Sequence, residues 1–342
     1  MNHSVLKKIT ISLLIAVILL ILGNIIIDKY LMPDERPKNR ETIPGTEIDN
    51  KFKTALKNYG FSSNWITKTK LRKKDNDSVF AAYSISVPKD VPVEMLLIEL
   101  KEIFWDYNVD IAAEETETNK KISVQLLSGK NVMLRADFYY DEEIKREFGA
   151  VSFLVYNVPL EDDEVLVQLL NTPEHYSIVF VPSAAAKSKI NIISNAEKRF
   201  AVLLNDDITE LDYKMASNFS EDRTLRSLRE IVSTFSSAVF FIIDEKSDLY
   251  ESRNFSFIRS QLTKRGIVLV PTNRFVELRS NGTDVESKFS NFMQSINKSD
   301  EKILMVTAEE FLNLTKLIPL YRKIGYKFIN PGEIILRKTE SN

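Results

Sequence analysis

Seven short apolar runs punctuate the second half of this chain, and their spacing is the strongest constraint on what it can fold into. They are GAVSFLVY (149–156), HYSIVFV (175–181), RFAVLL (199–204), AVFFII (238–243), GIVLV (266–270), KILMV (302–306) and YKFI (326–329), separated by amphipathic helical stretches. Near-continuous apolar runs read as strands buried on both faces, and strands that alternate with helices build a parallel sheet with the helices outside. The pattern predicts an open doubly wound sheet or a barrel of about seven βα units, and in either form ligands meet the carboxyl ends of the strands. Those ends carry Tyr156 and Asn157, Pro182 and Ser183, Asn205, Asp206 and Asp207, Asp244 and Glu245, Thr272, Asn273 and Arg274, Thr307 and Glu309, and Asn330.

A smaller unit precedes this region. A helix near Asn50 to Tyr59, a strand in VFAAYSISV, a helix over Val93 to Tyr107 and strands in VDIAAEE, KISVQLL and VMLRADFYY make an α+β module over residues 48–145. The Gly129-Lys130 turn makes its last two strands a hairpin. Trp105 is expected on the core face of its helix with Leu97, Ile98 and Leu100. Ahead of the module, PDERPKNRETIPGTE (33–47) holds three prolines, a glycine and mixed charges, so residues 28–47 read as an extended linker.

The 19 residues Ile9 to Ile27 carry no charge and follow a tail of residues 1–8. At about 1.5 Å per residue they approach the ~30 Å hydrocarbon core, and no small-residue cleavage site follows, which favours an uncleaved transmembrane anchor over a signal peptide. Lys7 and Lys8 precede the span while Lys29, Arg36, Lys38 and Arg40 follow it, a count that opposes a cytoplasmic N-terminus. The short leading tail is the shape of a signal anchor. The expectation is a single-pass protein of the cell membrane whose folded domains are extracytoplasmic.

Composition removes several functions. The formal charge of -2, with Lys and Arg spread along the chain, gives no polyanion-binding surface, so nucleic acid is not an expected partner. Without cysteine there is no disulfide, thiolate metal site or cysteine nucleophile. Of the two histidines, His3 lies in the tail and His175 begins a strand, so no multi-histidine metal site or histidine-based triad can be assembled within one chain.

The surplus between the third and fourth strands is ITELDYKMASNFSEDRTLR (208–226). Its end is a helix start: Ser220 is a good cap, Glu221 and Asp222 suit the first turn, and Leu225, Leu228, Ile231, Val232 and Phe235 recur at helical spacing. LDYKMASNFSED resembles the loop G-x-N-N-H-M-G-S-x-F-T of the divergent polysaccharide deacetylase family, keeping Met215, Ser217 and Phe219. FFIIDEKSDLYES resembles that family's F-x-D-S-R-T segment through Asp244 and Ser247. RFVELRSNGTDVESKFSNFMQSI is similar to its F-L-D-N segment, and ILMVTAEEFLNLTKLIPLYRKIGYKFINPGEI to its last strand, helix and closing strand. The resemblance runs collinearly from Gly149 to about Leu336 and implies a distorted seven-stranded (β/α) barrel over 149–338, in a protein of the bacterial envelope.

The departures fall on the metal ligands that the resemblance implies. Tyr156-Asn157 stands where the family has paired aspartates, Lys214 replaces the loop histidine, LLNDD replaces a histidine segment, and the late Gly-His pair has become Val306-Thr307 or Thr307-Ala308. A lysine offers donors and positive charge where a ligand lone pair is needed. The resemblance therefore implies a degenerate member with no metal or other cofactor, leaning away from enzyme activity, that binds a cell-envelope glycan or acts as a scaffold. Its cleft would be lined by Tyr156, Asn157, Asp212, Lys214, Ser217, Asp244, Arg274 and Glu309, with Tyr156 or Tyr213 as the aromatic face for a sugar. Two alternatives stay open. Asp206, Asp207 and Asp244, with Asp212 and Glu245 nearby, could form a carboxylate-only site for Mg, Mn or Ca and support deacetylation or hydrolysis; or the small module could contact an envelope protein, with the barrel as a spacer.

Overall fold

The computed structural model describes residues 40–71, 79–117, 121–146, 148–161, 163–278 and 284–340. The expected anchor at Ile9 to Ile27 lies outside them; among the described residues no helix is long and apolar enough to cross a membrane. The chain forms two compact units, one built from residues up to Leu56 with Ser62–Ile144, the other from Lys57–Phe61 with Lys145 onward.

In the first unit, strands β1 (Ile66–Lys68), β2 (Ala81–Pro88), β3 (Asp110–Glu117), β4 (Lys121–Ser128) and β5 (Asn131–Asp141) form one sheet in the order β1-β2-β5-β4-β3. β2 and β5 are parallel and the other pairs antiparallel. Gly129, at φ 61, makes the β4–β5 turn. The helix Gly45–Asn58 starts inside the segment expected as linker, because the Pro44 carbonyl accepts the Glu47 and Ile48 amides and Ile48 is buried at once. Ile48, Phe52, Ala55 and Leu56 form its buried stripe, and the Phe52 ring stacks 6.0 Å from Tyr83. Buried Asp49 accepts from the Tyr83 hydroxyl at 2.5 Å and pairs with Lys53 at 2.7 Å, which holds the Lys53 ammonium above its ordinary pKa. The helix Val93–Ile103 ends earlier than expected and buries Val93, Leu96 and Leu100, followed by Phe104. Trp105 therefore falls beyond the helix and is 41% exposed, so its expected core position is corrected, as is that of Ile98 at 51%.

In the second unit, β6 (Ala150–Tyr156), β7 (Ser177–Phe180), β8 (Arg199–Leu204), β9 (Phe241–Ile243), β10 (Leu269–Pro271), β11 (Val276–Glu277) and β12 (Glu301–Thr307) form a curled parallel half-barrel in the order β10-β9-β8-β7-β6-β12-β11. β13 (Lys327–Phe328) pairs with the start of β6. This order is the cyclic order of a βα barrel, left unpaired between β10 and β11, where the chain passes through a 3-10 turn at Thr272–Arg274. The expected doubly wound alternative is thereby excluded.

Alternate residues of each strand serve two different cores. Phe153, Val155, Ile178, Phe180, Phe200, Val202, Phe241, Ile243, Leu304 and Val306 face the helices. Leu154, Val179, Ala201, Phe240, Ile242, Val270, Ile303 and Met305 fill the concave side, where Phe275 and, from the helix Pro331–Glu340, Ile334 and Ile335 join them. The concave face is a packed core below its strand-end rim, which leaves the rim as the place where a barrel of this kind meets a ligand.

Candidate functional site

The two-residue alternation decides which strand-end side chains point into the rim. Tyr156 continues the row of Leu154, Asn205 that of Ala201 and Leu203, Asp244 that of Phe240 and Ile242, and Thr272 that of Val270. Register places three of these side by side. Val202 pairs with Phe241 and Leu204 with Ile243, so Asn205 lies opposite Asp244; Phe241 pairs with Leu269 and Ile243 with Pro271, so Asp244 lies opposite Thr272. The ladder persists to this level, since the Asp244 amide donates to the Leu204 carbonyl at 3.1 Å.

The three residues are oriented locally. The Asn205 side-chain amide donates to the Asp207 carboxylate at 3.3 Å. One Asp244 oxygen accepts the Lys246 amide at 3.0 Å, while the Asp244 carbonyl accepts from the Ser247 hydroxyl at 2.6 Å. The Thr272 hydroxyl oxygen accepts the Glu245 amide at 3.2 Å, tying the end of β9 to that of β10. Asn205 is only 8% exposed, and its Oδ1 is buried with no hydrogen bond from any described residue. A buried acceptor without a partner costs about 1–3 kcal/mol.

Asp206 has a different role. It follows Leu204 on the helix-facing side, and its Oδ2 accepts the Leu249 amide at 3.0 Å, capping the short helix Asp248–Glu251. Burial raises the pKa of its carboxyl group above the usual range. Asp206 is thus engaged by the Leu249 amide, and exposed Asp207 is held by Asn205. Among the described residues no three His, Asp or Glu side chains are grouped to hold a metal ion.

A second polar group lies at β6, β11 and β12. The Tyr156 hydroxyl approaches Glu277 Oε1 at 3.4 Å, and Thr307, opposite Tyr156, caps the helix Ala308–Leu314 in a reciprocal capping box with Glu310. Glu309 is exposed in the same first turn, and Asn157 is exposed at φ 51, a left-handed conformation that asparagine tolerates. Glu277 is absent from the sequence-based set because its strand is only two residues long; the one available signal is the alternation in FVEL.

The surplus loop is rigidly framed. Tyr213 and Met215 are buried on either side of half-exposed Lys214, while Asp212 and Arg274 are exposed and Ser217 is half-buried. Asn254, 1% exposed in the helix Arg253–Thr263, donates from its amide to the carbonyls of Ala216 at 3.2 Å, Ser217 at 3.3 Å and Phe219 at 3.0 Å. Ser220 caps the helix Glu221–Thr234 as expected, its hydroxyl accepting the Arg223 amide. The buried face of that helix includes Thr224 and Ser227 rather than Leu225, small side chains that permit close approach of a neighbouring helix. Asn254→Ala removes the donor for three carbonyls and is expected to destabilise by about 1–3 kcal/mol, with faster hydrogen exchange confined to residues 216–219. Unchanged exchange at those amides would show that Asn254 does not hold the loop.

No family model and no curated protein matches this sequence. Among solved structures, the fold is similar to the uncharacterized protein ATU2773 from Agrobacterium tumefaciens (TM-score 0.40, 10% identity, 57% of this chain and 92% of that one). It is also similar to the catalytic domain of peptidoglycan N-acetylglucosamine deacetylase from Eubacterium rectale (TM-score 0.37, 11% identity, 54% and 88%). A CE4 family pseudoenzyme from Bacillus anthracis gives a TM-score of 0.34 at 12% identity over 69% of this chain and 94% of that one. At such scores and identities these likenesses identify neither a family nor an activity.

Proposed function

We propose that this is a membrane-anchored, deacetylase-like protein of the cell envelope, a degenerate relative of the polysaccharide deacetylases that binds glycan at its strand-end rim without metal catalysis. The observation that carries the reading is the row Asn205, Asp244 and Thr272, which sets a carboxamide, a carboxylate and a hydroxyl side by side on neighbouring strand ends. Sugars are donor-rich and are recognised by such fixed polar groups together with aromatic faces, and Tyr156 stands at the same strand-end rim two strands from Asn205. Carboxylates already engaged locally, Asp206 by the Leu249 amide and Asp207 by Asn205, support binding over metal hydrolysis. The uncharged span Ile9 to Ile27 supports the anchor.

Co-sedimentation of the purified protein with insoluble cell-wall glycan tests this. Retention is expected, weakened about tenfold by Tyr156→Ala, which removes about 1.4 kcal/mol of contact, with no acetate released. Failure to sediment would sink the glycan reading. Stoichiometric metal that is lost on Asp244→Ala would instead establish the carboxylate-site enzyme.

A further inference from the structure

We infer that the outer face of the helix Val93–Ile103 is a membrane-contact surface, which lays Met95, Ile98 and Trp105 against the zwitterionic headgroup layer of the bilayer that holds the anchor. This rests on the anchor in the reading above and goes beyond it, since a tether alone requires no contact between the first unit and lipid. The buried side of the helix is Val93, Leu96 and Leu100. A helix with that stripe is expected to be polar on the opposite side, yet Met95 and Ile98 stand there, 52% and 51% exposed. Trp105 extends their row. The Phe104 amide donates to the Leu100 carbonyl at 3.0 Å and the Trp105 amide to the Glu102 carbonyl at 3.2 Å, which continues the winding past Ile103. Single exposed apolar residues are ordinary; three in one row, at spacings of three and seven and ending in an indole, form a stripe suited to lying in a bilayer interface.

The point at which the chain enters this unit says what covers the stripe. The Glu41 amide donates to the Asp106 carbonyl at 3.1 Å, the Asn108 amide donates to the Glu41 carbonyl at 2.7 Å, and Arg40 pairs with Asp110 at 3.1 Å. These contacts fix the incoming chain beside the residue that follows Trp105. The bridge between Glu41 and Tyr107 is parallel, so the chain reaches it from the Trp105 side. From Ile27 to Arg40 there are 13 backbone steps, which reach at most roughly 45 Å. An anchored chain thus keeps one end of the stripe within that distance of lipid, and docking becomes an intramolecular event at an effective concentration on the order of mM. Trp105 sits at that end, and indole favours the headgroup level. Charge selects the lipid. Glu94, Glu102 and Asp106 are exposed around the stripe, and Lys101 is the only basic residue between 93 and 107, so an anionic surface repels this face and a zwitterionic one does not.

The test is fluorescence of the full chain carrying Trp65→Phe, which leaves Trp105 as the one indole, reconstituted into phosphatidylcholine vesicles with plain or brominated acyl chains. The protein is expected to float with the vesicles, with Trp105 emission blue-shifted and quenched by the bromine. Ile98→Asp places a charge on the stripe and should lower the ratio of docked to undocked protein about tenfold, restoring the emission. Circular dichroism checks that this variant folds; should it fail to do so, Met95→Asp decides in its place. Admixture of phosphatidylglycerol should weaken the quenching, and raised salt should recover it. Identical Trp105 emission in plain and brominated vesicles, from a protein that floats, overturns this inference alone. A protein that does not float overturns the anchor and the inference together. Emission that shifts with protein density and not with bromine would assign the stripe to a second copy of the chain, which also overturns it.

Discussion

Phe153→Ala is expected to lower the unfolding free energy of the barrel unit by about 3–5 kcal/mol, the cost of removing a buried aromatic ring whose surroundings cannot collapse fully. The ring is fully buried on the helix-facing side of β6. It stacks 6.1 Å from Phe328 of β13, meets Phe311 edge-on at 5.2 Å and lies 5.9 Å from Phe289. Those partners come from three separate elements, the closing strand and the helices Ala308–Leu314 and Val285–Ser295. The ring therefore ties together late parts of the chain that the backbone ladder joins only weakly. A domain has about 5–15 kcal/mol of stability in total, so the variant should unfold at a much lower denaturant concentration with an unchanged slope. A loss below about 1 kcal/mol would show that the ring is not at the centre of this cluster.

Much of this architecture is legible in the sequence because buried parallel strands leave long apolar runs. Residues 199–204 form a strand over the same span as the run RFAVLL, GAVSFLVY differs from β6 by one residue at its start, and KILMV differs from β12 by one residue at each end. AVFFII and GIVLV overstate β9 and β10, since apolarity also marks residues packed in the core just outside a ladder, such as Val239 and Val268. The strands β1 and β11 are too short to show a period, which hides Glu277. The phase within a strand is also legible: once Ala201 and Leu203 face one way, Asn205 must follow them and Asp206 must not. The stagger between strands is not, because helix and loop geometry sets it. For that reason the sequence alone groups Asp206, Asp207 and Asp244 in one cleft, whereas register puts Asp244 beside Asn205 and Thr272 and leaves Asp206 to cap a helix.

Gly60→Ala is the second large effect expected, and a matched control separates its two causes. Gly60 has φ +72, where a Cβ alone costs about 1–2 kcal/mol. Its Cβ would also stand 1.9 Å from the Ile324 carbonyl oxygen and 3.2 Å from the Phe148 ring. Neither neighbour can yield easily. Arg146 Nη1 donates to both the Tyr59 carbonyl, at 3.1 Å, and the Lys323 carbonyl, at 2.5 Å, and so clamps the Gly60 turn against the end of the helix Ile318–Ile324. The Lys323 ammonium lies 4.8 Å from the Tyr59 ring centre, and a Cβ on Gly325 would stand 2.7 Å from the Phe148 ring. Relief requires the backbone to separate, so the total loss is expected to reach about 3 kcal/mol or more. Gly266 lies in the same unit at φ +71, and a Cβ there would meet nothing within 4 Å, so Gly266→Ala should incur the conformational cost alone, about 1–2 kcal/mol. The difference between the two variants in denaturant unfolding measures the close approach of the Gly60 turn to Ile324. Equal losses would mean that the turn stands off from the helix end and that Arg146, not the absence of a side chain at residue 60, sets the geometry there.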